Sequence, residues 1–261
     1  MEPVFRTLEL IANGLVRGQG LKLRFFGLEN IPRTGGAVLA VNHTAYTDFI
    51  PAALGLQKEG RRGRFMIKSE VMDIGIMRFL VHHCKAVPVD RSAGADAYRA
   101  AVDSLSSGEV VVVYPETTIS RSFELKDFKN GAVRMAAEAG VPVVPCIVWG
   151  AQRQMSKGTR RRMGRSGIPV DVMYGPAVHY PADVDADAAT VELHTTMDQM
   201  LHRVQDGYPE APPGADWLPA RLGGSAPTPD EALVIENAEA AEKARLREER
   251  RAAEANQDRD R

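Results

Sequence analysis

Ala37-Val38-Leu39-Ala40-Val41-Asn42-His43-Thr44-Ala45-Tyr46-Thr47-Asp48 is an apolar run of strand length followed at once by polar and ionisable residues. A continuous apolar run with no alternation reads as a strand buried on both faces, the kind found in a mainly parallel sheet covered by helices. The histidine and aspartate beyond it are the inventory of a general base and its orienter. Five residues of helix amount to about 140° of net rotation, so His43 and Asp48 cannot share a regular helical face and the chain must bend between them. The predicted bend has His43 at the strand end and Asp48 opening a short helix through Phe49, Pro51, Ala52, Ala53 and Leu54, with Pro51 tolerated in its first turn. Taken alone, the HxxxxD spacing also describes an N-cap aspartate beside a polar loop histidine.

Outward from this stretch the same grammar recurs. Strand-like runs lie at Leu21 to Phe26, Arg64 to Ile67, Ala86 to Val89, Val110 to Tyr114, Val143 to Val148 and Val170 to Tyr174. Helical patterns at Ala95 to Leu105 and Gly131 to Ala139 separate several of them, the second closed by Gly140 and Pro142. The expected fold is therefore α/β, a mainly parallel mixed sheet flanked by helices, with ligands bound beyond the carboxyl ends of the strands. Val4, Leu8, Ile11 and Leu15 make residues 1–20 an amphipathic helix, which either packs on the domain or touches a membrane. Residues 21–206 form the main domain, with a final helix over Thr190 to Val204. Residues 207–234 are a Pro/Gly-rich segment, and residues 235–261 are a charged carboxy-terminal tail, disordered or a frayed helix, because it has little to bury.

With 261 residues the chain has enough length for one substantial core. A formal net charge of -1, with 26% charged and 44% hydrophobic residues, gives no support for nucleic-acid binding. Cys84 and Cys146 suggest neither a disulfide framework nor a metal site, and the six histidines have no metal-ligand spacing, so no metal is expected. No apolar run reaches the roughly 18 residues of a spanning helix, and the amino terminus does not read as a signal peptide.

Strand ends supply His43 and Asp48, Lys68 and Glu70, Arg91 and Glu116, all expected at one edge of the sheet. A histidine–aspartate pair with arginines and a carboxylate suits base-assisted attack by a hydroxyl on an ester-like carbon, the arginines holding an anion. No GxSxG elbow is present, which favours direct transfer over a covalent intermediate. Lys68 with Glu70 reads better as a surface pair. Arg61-Arg62-Gly63-Arg64 and the stretch Lys157 to Arg165 are either solvated loops or contacts for anionic headgroups.

Four ordered blocks carry a resemblance: Asn42-His43-Thr44-Ala45-Tyr46-Thr47-Asp48; Val87-Pro88-Val89-Asp90-Arg91; Tyr114-Pro115-Glu116-Thr117-Thr118 with Arg121-Ser122; and Val141-Pro142-Val143-Val144-Pro145. Over about Gly27 to Pro176 the chain resembles the glycerolipid acyltransferases, and among them the 1-acyl-glycerol-3-phosphate (lysophosphatidate) type. The resemblance implies that His43 is the general base and Asp48 its orienter. It implies that Arg91 binds the acceptor phosphate, and that Glu116, Thr117, Thr118 and Arg121 shape the acceptor site. Val141 to Pro145 would line the acyl-binding or core side of the cleft. It further implies a lysophospholipid acceptor, an acyl-CoA or acyl carrier protein donor, no other cofactor, and a cytoplasmic, peripheral position on the inner face of the cell membrane. Other acceptors, a thioester hydrolase and a non-catalytic lipid-binding protein are the alternatives. One departure stands out. The family's third block usually reads Phe-Pro-Glu-Gly-Thr-Arg-Ser, whereas here Tyr114 replaces the phenylalanine, Thr117 the glycine, and Ile119-Ser120 precede Arg121. Loss of the glycine predicts a differently shaped loop.

Overall fold

A computed structural model describes residues 3–68, 75, 78, 82–84, 87–89 and 94–259. Along the chain these form α1 (Pro3–Gln19), β1 (Lys22–Phe26), β2 (Ala37–Val41), α2 (Phe49–Lys58), β3 (Gly63–Lys68), β4 (Val87–Val89) and α3 (Gly94–Ser106). There follow β5 (Val110–Val113), α4 (Gly131–Ala139), β6 (Val143–Trp149), β7 (Pro169–Tyr174), α5 (Ala186–Asp206) and α6 (Pro229–Arg259). The strands make one seven-stranded sheet in the order β1-β7-β6-β2-β5-β3-β4. All pairings between these strands are parallel except β6 with β7. The run that read as buried on both faces is the central strand, and every residue of β2 is buried.

Alternation along β2 divides the core. Val38 and Ala40 point to the face covered by α3, α4 and α5. Leu39 and Val41 point to the face covered by α2. Strands β5 and β6 flank β2 on opposite sides, so the chain crosses over between them, and the carboxyl ends of β2 and β5 lie together at the switch point where such sheets bind ligands. Helix α4 ends as its sequence predicts, at Gly140 with φ 64°.

Two sequence expectations are modified. Arg61 and Arg64 are not headgroup contacts. Arg61 donates to the carbonyls of Pro32, Gly35 and Gly108, while Arg64 is 3% exposed, pairs with Glu109 at 3.0 Å and donates to the Cys84 carbonyl. Their charge is spent tying loops at the amino ends of the strands. The Pro/Gly-rich segment, for its part, is packed: Tyr208, Trp217, Leu218 and Ala226 are buried against the α3–α5 face, and Tyr208 donates to the Pro169 carbonyl at 2.7 Å. Helix α6 begins inside this segment rather than at residue 235. Thr228 and Glu231 cap it reciprocally, the Thr228 amide donating to the Glu231 carboxylate at 2.9 Å and the Glu231 amide to the Thr228 hydroxyl at 3.3 Å. Pro229 stands at the first helical position, where a missing N–H is harmless.

Candidate active site

The site grows from the end of β2. Asn42 is fully buried, and its side-chain amide bonds both backbone groups of Val148 on β6, accepting from the amide at 2.7 Å and donating to the carbonyl at 3.2 Å. A side chain thus continues the β2–β6 ladder one step past the strand and fixes the direction in which the next residue leaves. That residue is His43, with its side chain 21% exposed.

The chain then bends as expected. Asp48 precedes α2, yet its side chain caps nothing there. Its carboxylate turns back instead: Oδ2 lies 3.0 Å from His43 Nδ1 and accepts from the amides of Thr44 at 3.2 Å and Ala45 at 3.1 Å. The bland reading of the aspartate as a helix cap is thereby excluded. Oδ1 accepts from the Tyr114 hydroxyl at 3.1 Å. The Tyr114 ring also stacks on the imidazole, with centroids 4.2 Å apart and planes at 27°. Burial and the adjacent Asp48 push the Tyr114 phenol well above its ordinary range, so it remains a donor. Asp48 is 1% exposed and compensated on both oxygens. Such a carboxylate holds the Nδ1–H tautomer and leaves Nε2 as the basic nitrogen.

Glu116, at the end of β5, is 3% exposed and accepts from two backbone amides, His43 at 2.7 Å and Lys126 at 3.1 Å. It therefore braces the site from beneath, linking the histidine to the far end of the 114–126 loop. Burial raises its pKa to about 8 against the opposing pull of those two amides. The Ser120 amide donates back to the His43 carbonyl at 2.8 Å, closing the loop over the β2 end. Thr117 adopts φ 61°. A threonine thus holds the left-handed conformation at the position where the resemblance places a glycine.

Thr118 accepts from Lys126 Nζ at 2.8 Å. Arg121 pairs with Glu239 of α6, and Lys126 with Glu236. Arg91 and Glu70 lie outside the described residues. Val143 and Val144, from the fourth block, are core residues of β6 on opposite faces of the sheet. Asn42, the Tyr114 hydroxyl, Lys126 and the α6 glutamates were assigned no role from sequence. Their partners are distant in the chain, and only the Thr228-Pro229-Asp230-Glu231 capping signature announced α6 locally.

With this geometry established, the chain was compared with known proteins. A family profile described as "Acyltransferase" matches residues 22–149. The chain is 29% identical over 181 residues to the chloroplastic 1-acyl-sn-glycerol-3-phosphate acyltransferase LPAT1 of Arabidopsis thaliana, covering 68% of this chain and 49% of that one. It is 31% identical over 184 residues to a 1-acyl-sn-glycerol-3-phosphate acyltransferase of Chlamydomonas reinhardtii, covering 69% and 54%. A Bacillus subtilis (strain 168) protein of the same name is 28% identical over 129 residues, 49% of this chain and 63% of that one. The chain spans about half the length of the plant and algal relatives. Among solved structures, the 1-acyl-sn-glycerophosphate (LPA) acyltransferase PlsC from Thermotoga maritima superposes with a TM-score of 0.61 at 20% identity, covering 77% of this chain and 82% of that one, a likeness of fold.

Proposed function

We propose that this chain, whose residues 22–149 match the acyltransferase family model, transfers a fatty acyl group from a thioester donor to lysophosphatidate, giving phosphatidate. The observation that carries the reading is the His43–Asp48 pair at the carboxyl end of the central strand, with Nδ1 held at 3.0 Å by a buried carboxylate. The acceptor class follows the names of the relatives.

In the proposed reaction His43 Nε2 takes the proton of the acceptor hydroxyl as its oxygen attacks the thioester carbon. The tetrahedral intermediate collapses with loss of the thiolate, which takes the proton back from the imidazolium. Asp48 holds the tautomer and stabilises the cation, while Tyr114 and two backbone amides hold Asp48. Arg91 and Arg121 are proposed to bind the acceptor phosphate. The donor is acyl-CoA or an acyl carrier protein, with no other cofactor. The protein is proposed to work from the cytoplasmic face of the cell membrane as a peripheral enzyme. Among the described residues no helix is long and apolar enough to cross a membrane.

The test is phosphatidate formation from lysophosphatidate by wild type and His43→Ala, with palmitoyl-CoA and palmitoyl acyl carrier protein as alternative donors and glycerol 3-phosphate and no-acceptor controls. His43→Ala should lower kcat by about a hundredfold to ten-thousandfold, the usual contribution of a positioned base. Full activity in that variant would refute the base assignment, and thioester cleavage independent of acceptor would identify a hydrolase.

A further inference from the structure

Three cations stand on segments that are hydrogen-bonded to the bend carrying the histidine. Lys126 is joined to the His43 backbone through the Glu116 carboxyl group, which accepts from the amides of both residues. Arg121 follows Ser120, whose amide bonds the His43 carbonyl. Lys157 comes from the turn after β6, which packs on the HxxxxD bend: the Tyr46 amide donates to the Met155 carbonyl at 3.0 Å, and the Ser156 hydroxyl to the Thr44 carbonyl. The Arg121 guanidinium lies so close to this turn that a Cβ on Gly158 would meet Nη1 at 3.0 Å. Burial lowers the Lys157 pKa, with Lys126 and Arg121 adding to the effect and Glu236 and Glu239 opposing it.

Over the cluster lies α6, an Ala, Glu and Arg helix whose Glu236 and Glu239, three residues apart and so on one face, reach Lys126 and Arg121. The arrangement is incompletely satisfied. Among the described residues, Arg121 Nε and Glu236 Oε1 are buried without a hydrogen-bond partner, and Lys157 makes no ion pair. Three positive charges face two carboxylates. Together those carboxylates carry about the charge of a phosphate monoester near neutral pH, and a tetrahedral phosphate offers more acceptor oxygens to a guanidinium and two ammonium groups.

We propose that Lys126 and Lys157 join Arg121 in holding the phosphate monoester of the acceptor, and that Glu236 and Glu239 occupy this site in the resting protein as a carboxylate stand-in that phosphate displaces. The proposal rests on the acyl-transfer reading for the identity of the ligand, but its binding arm can be read without turnover. Lys126 and Lys157 thereby become acceptor-binding residues, and α6 becomes a competitor whose departure admits substrate.

The experiment uses the full chain as wild type, E236Q/E239Q, K126A/K157A and the quadruple variant. Binding of glycerol 3-phosphate and of inorganic phosphate is titrated by calorimetry, and KM is measured separately for lysophosphatidate and for palmitoyl-CoA. E236Q/E239Q should bind glycerol 3-phosphate about tenfold more tightly, and lower the lysophosphatidate KM by a similar factor, because two partly buried charge-assisted contacts no longer compete. The quadruple variant should lose that gain, and K126A/K157A should bind more weakly than wild type. Tighter binding of glycerol 3-phosphate but not of inorganic phosphate locates recognition in the monoester. Equal gains for both assign it to the phosphate group alone. Unchanged binding and unchanged acceptor KM in E236Q/E239Q would overturn the proposal, as would a fall confined to the palmitoyl-CoA KM. If the binding pattern appears while no variant transfers acyl groups, the acyl-transfer reading fails and the anion site stands.

Discussion

At the scale of single residues, the site is governed by where buried charge is compensated. Asp48 is compensated on both oxygens, whereas the carboxyl of Glu116 has two amides against complete burial, and burial prevails, moving its pKa from the ordinary 4.5 to about 8. The unfolded chain releases this proton near pH 4.5 and the folded protein holds it to about 8. The Glu116 contribution to stability is therefore full below 4.5 and is lost as pH rises through that interval. Glu116→Gln removes the titration while leaving a side chain of the same shape. The stability difference between wild type and variant, followed by urea denaturation from pH 4.5 to 8, should move steadily in favour of glutamine, and parallel curves would show that Glu116 titrates normally. Thr117 makes a second residue-scale case. Its φ of 61° is a conformation that β-branched residues avoid, yet the side chain is exposed and Thr117→Gly sacrifices no packing. Relief of about 1–2 kcal/mol of backbone strain, less the greater freedom of glycine in the unfolded chain, should leave the variant about 0.5–1 kcal/mol more stable in the same denaturation assay. The absence of glycine was legible in the sequence. That a threonine would be held in the left-handed region was not, because the hydrogen bonds enforcing it come from the whole 114–126 loop, including Glu116 to Lys126 and Ser120 to His43.

Elements were legible in proportion to how completely they are buried. β2, β5 and β6 are continuous apolar runs because helices cover both sides, so their position in the sheet was written into composition alone. Helix α6 was not legible in this way: it has no apolar stripe, and its docking depends on Glu236 and Glu239 meeting cations more than a hundred residues earlier. The close approach of α2 to β7 was hidden for a different reason, since it depends on a single absent side chain. A Cβ on Gly55 would fall 1.9 Å from the Tyr174 hydroxyl, which is buried and donates to the Ala52 carbonyl at 2.8 Å. Gly55→Ala should therefore destabilise by about 2 kcal/mol despite the better helix propensity of alanine, because overpacking and a lost buried hydrogen bond outweigh it. Since Asp48 immediately precedes α2, the same displacement should lower acyl transfer beyond the loss of folded protein. Adding Tyr174→Phe, which removes the nearest of the clashing atoms but leaves the ring carbons Cζ and Cε2 at 2.6 and 2.8 Å, should restore part of both. Failure to recover either Tm or activity would place the strain in the ring carbons rather than the hydroxyl.

On the scale of the whole molecule, the amino-terminal helix has one side packed on the domain and another that exposes apolar side chains. Toward the domain, Phe5 is buried beneath Arg62 and Arg64, whose guanidinium carbons lie 5.2 and 5.5 Å from its ring centroid, and Asn13 bonds Gln57 of α2. Away from it, Leu10, Ile11 and Leu15 are 67%, 52% and 49% exposed. Ile11 and Leu15 line an open groove of about 460 Å³ whose other wall is Met163, Gly164 and Arg165, the end of the basic turn. Apolar side chains beside arginines are what an anionic bilayer surface accommodates, the former entering the acyl boundary and the latter the headgroups. The faces are separable by mutation. Replacing Leu10, Ile11 and Leu15 by serine should leave Tm nearly unchanged, while reducing co-sedimentation with phosphatidylcholine/phosphatidylglycerol vesicles by about a hundredfold in partition coefficient, at about 1 kcal/mol for each half-buried aliphatic chain. Phe5→Ala should do the reverse, lowering Tm while the outward face still binds at temperatures where the protein is folded. Equal vesicle binding by wild type and the triple serine variant would assign membrane contact to another surface and leave α1 as packing alone.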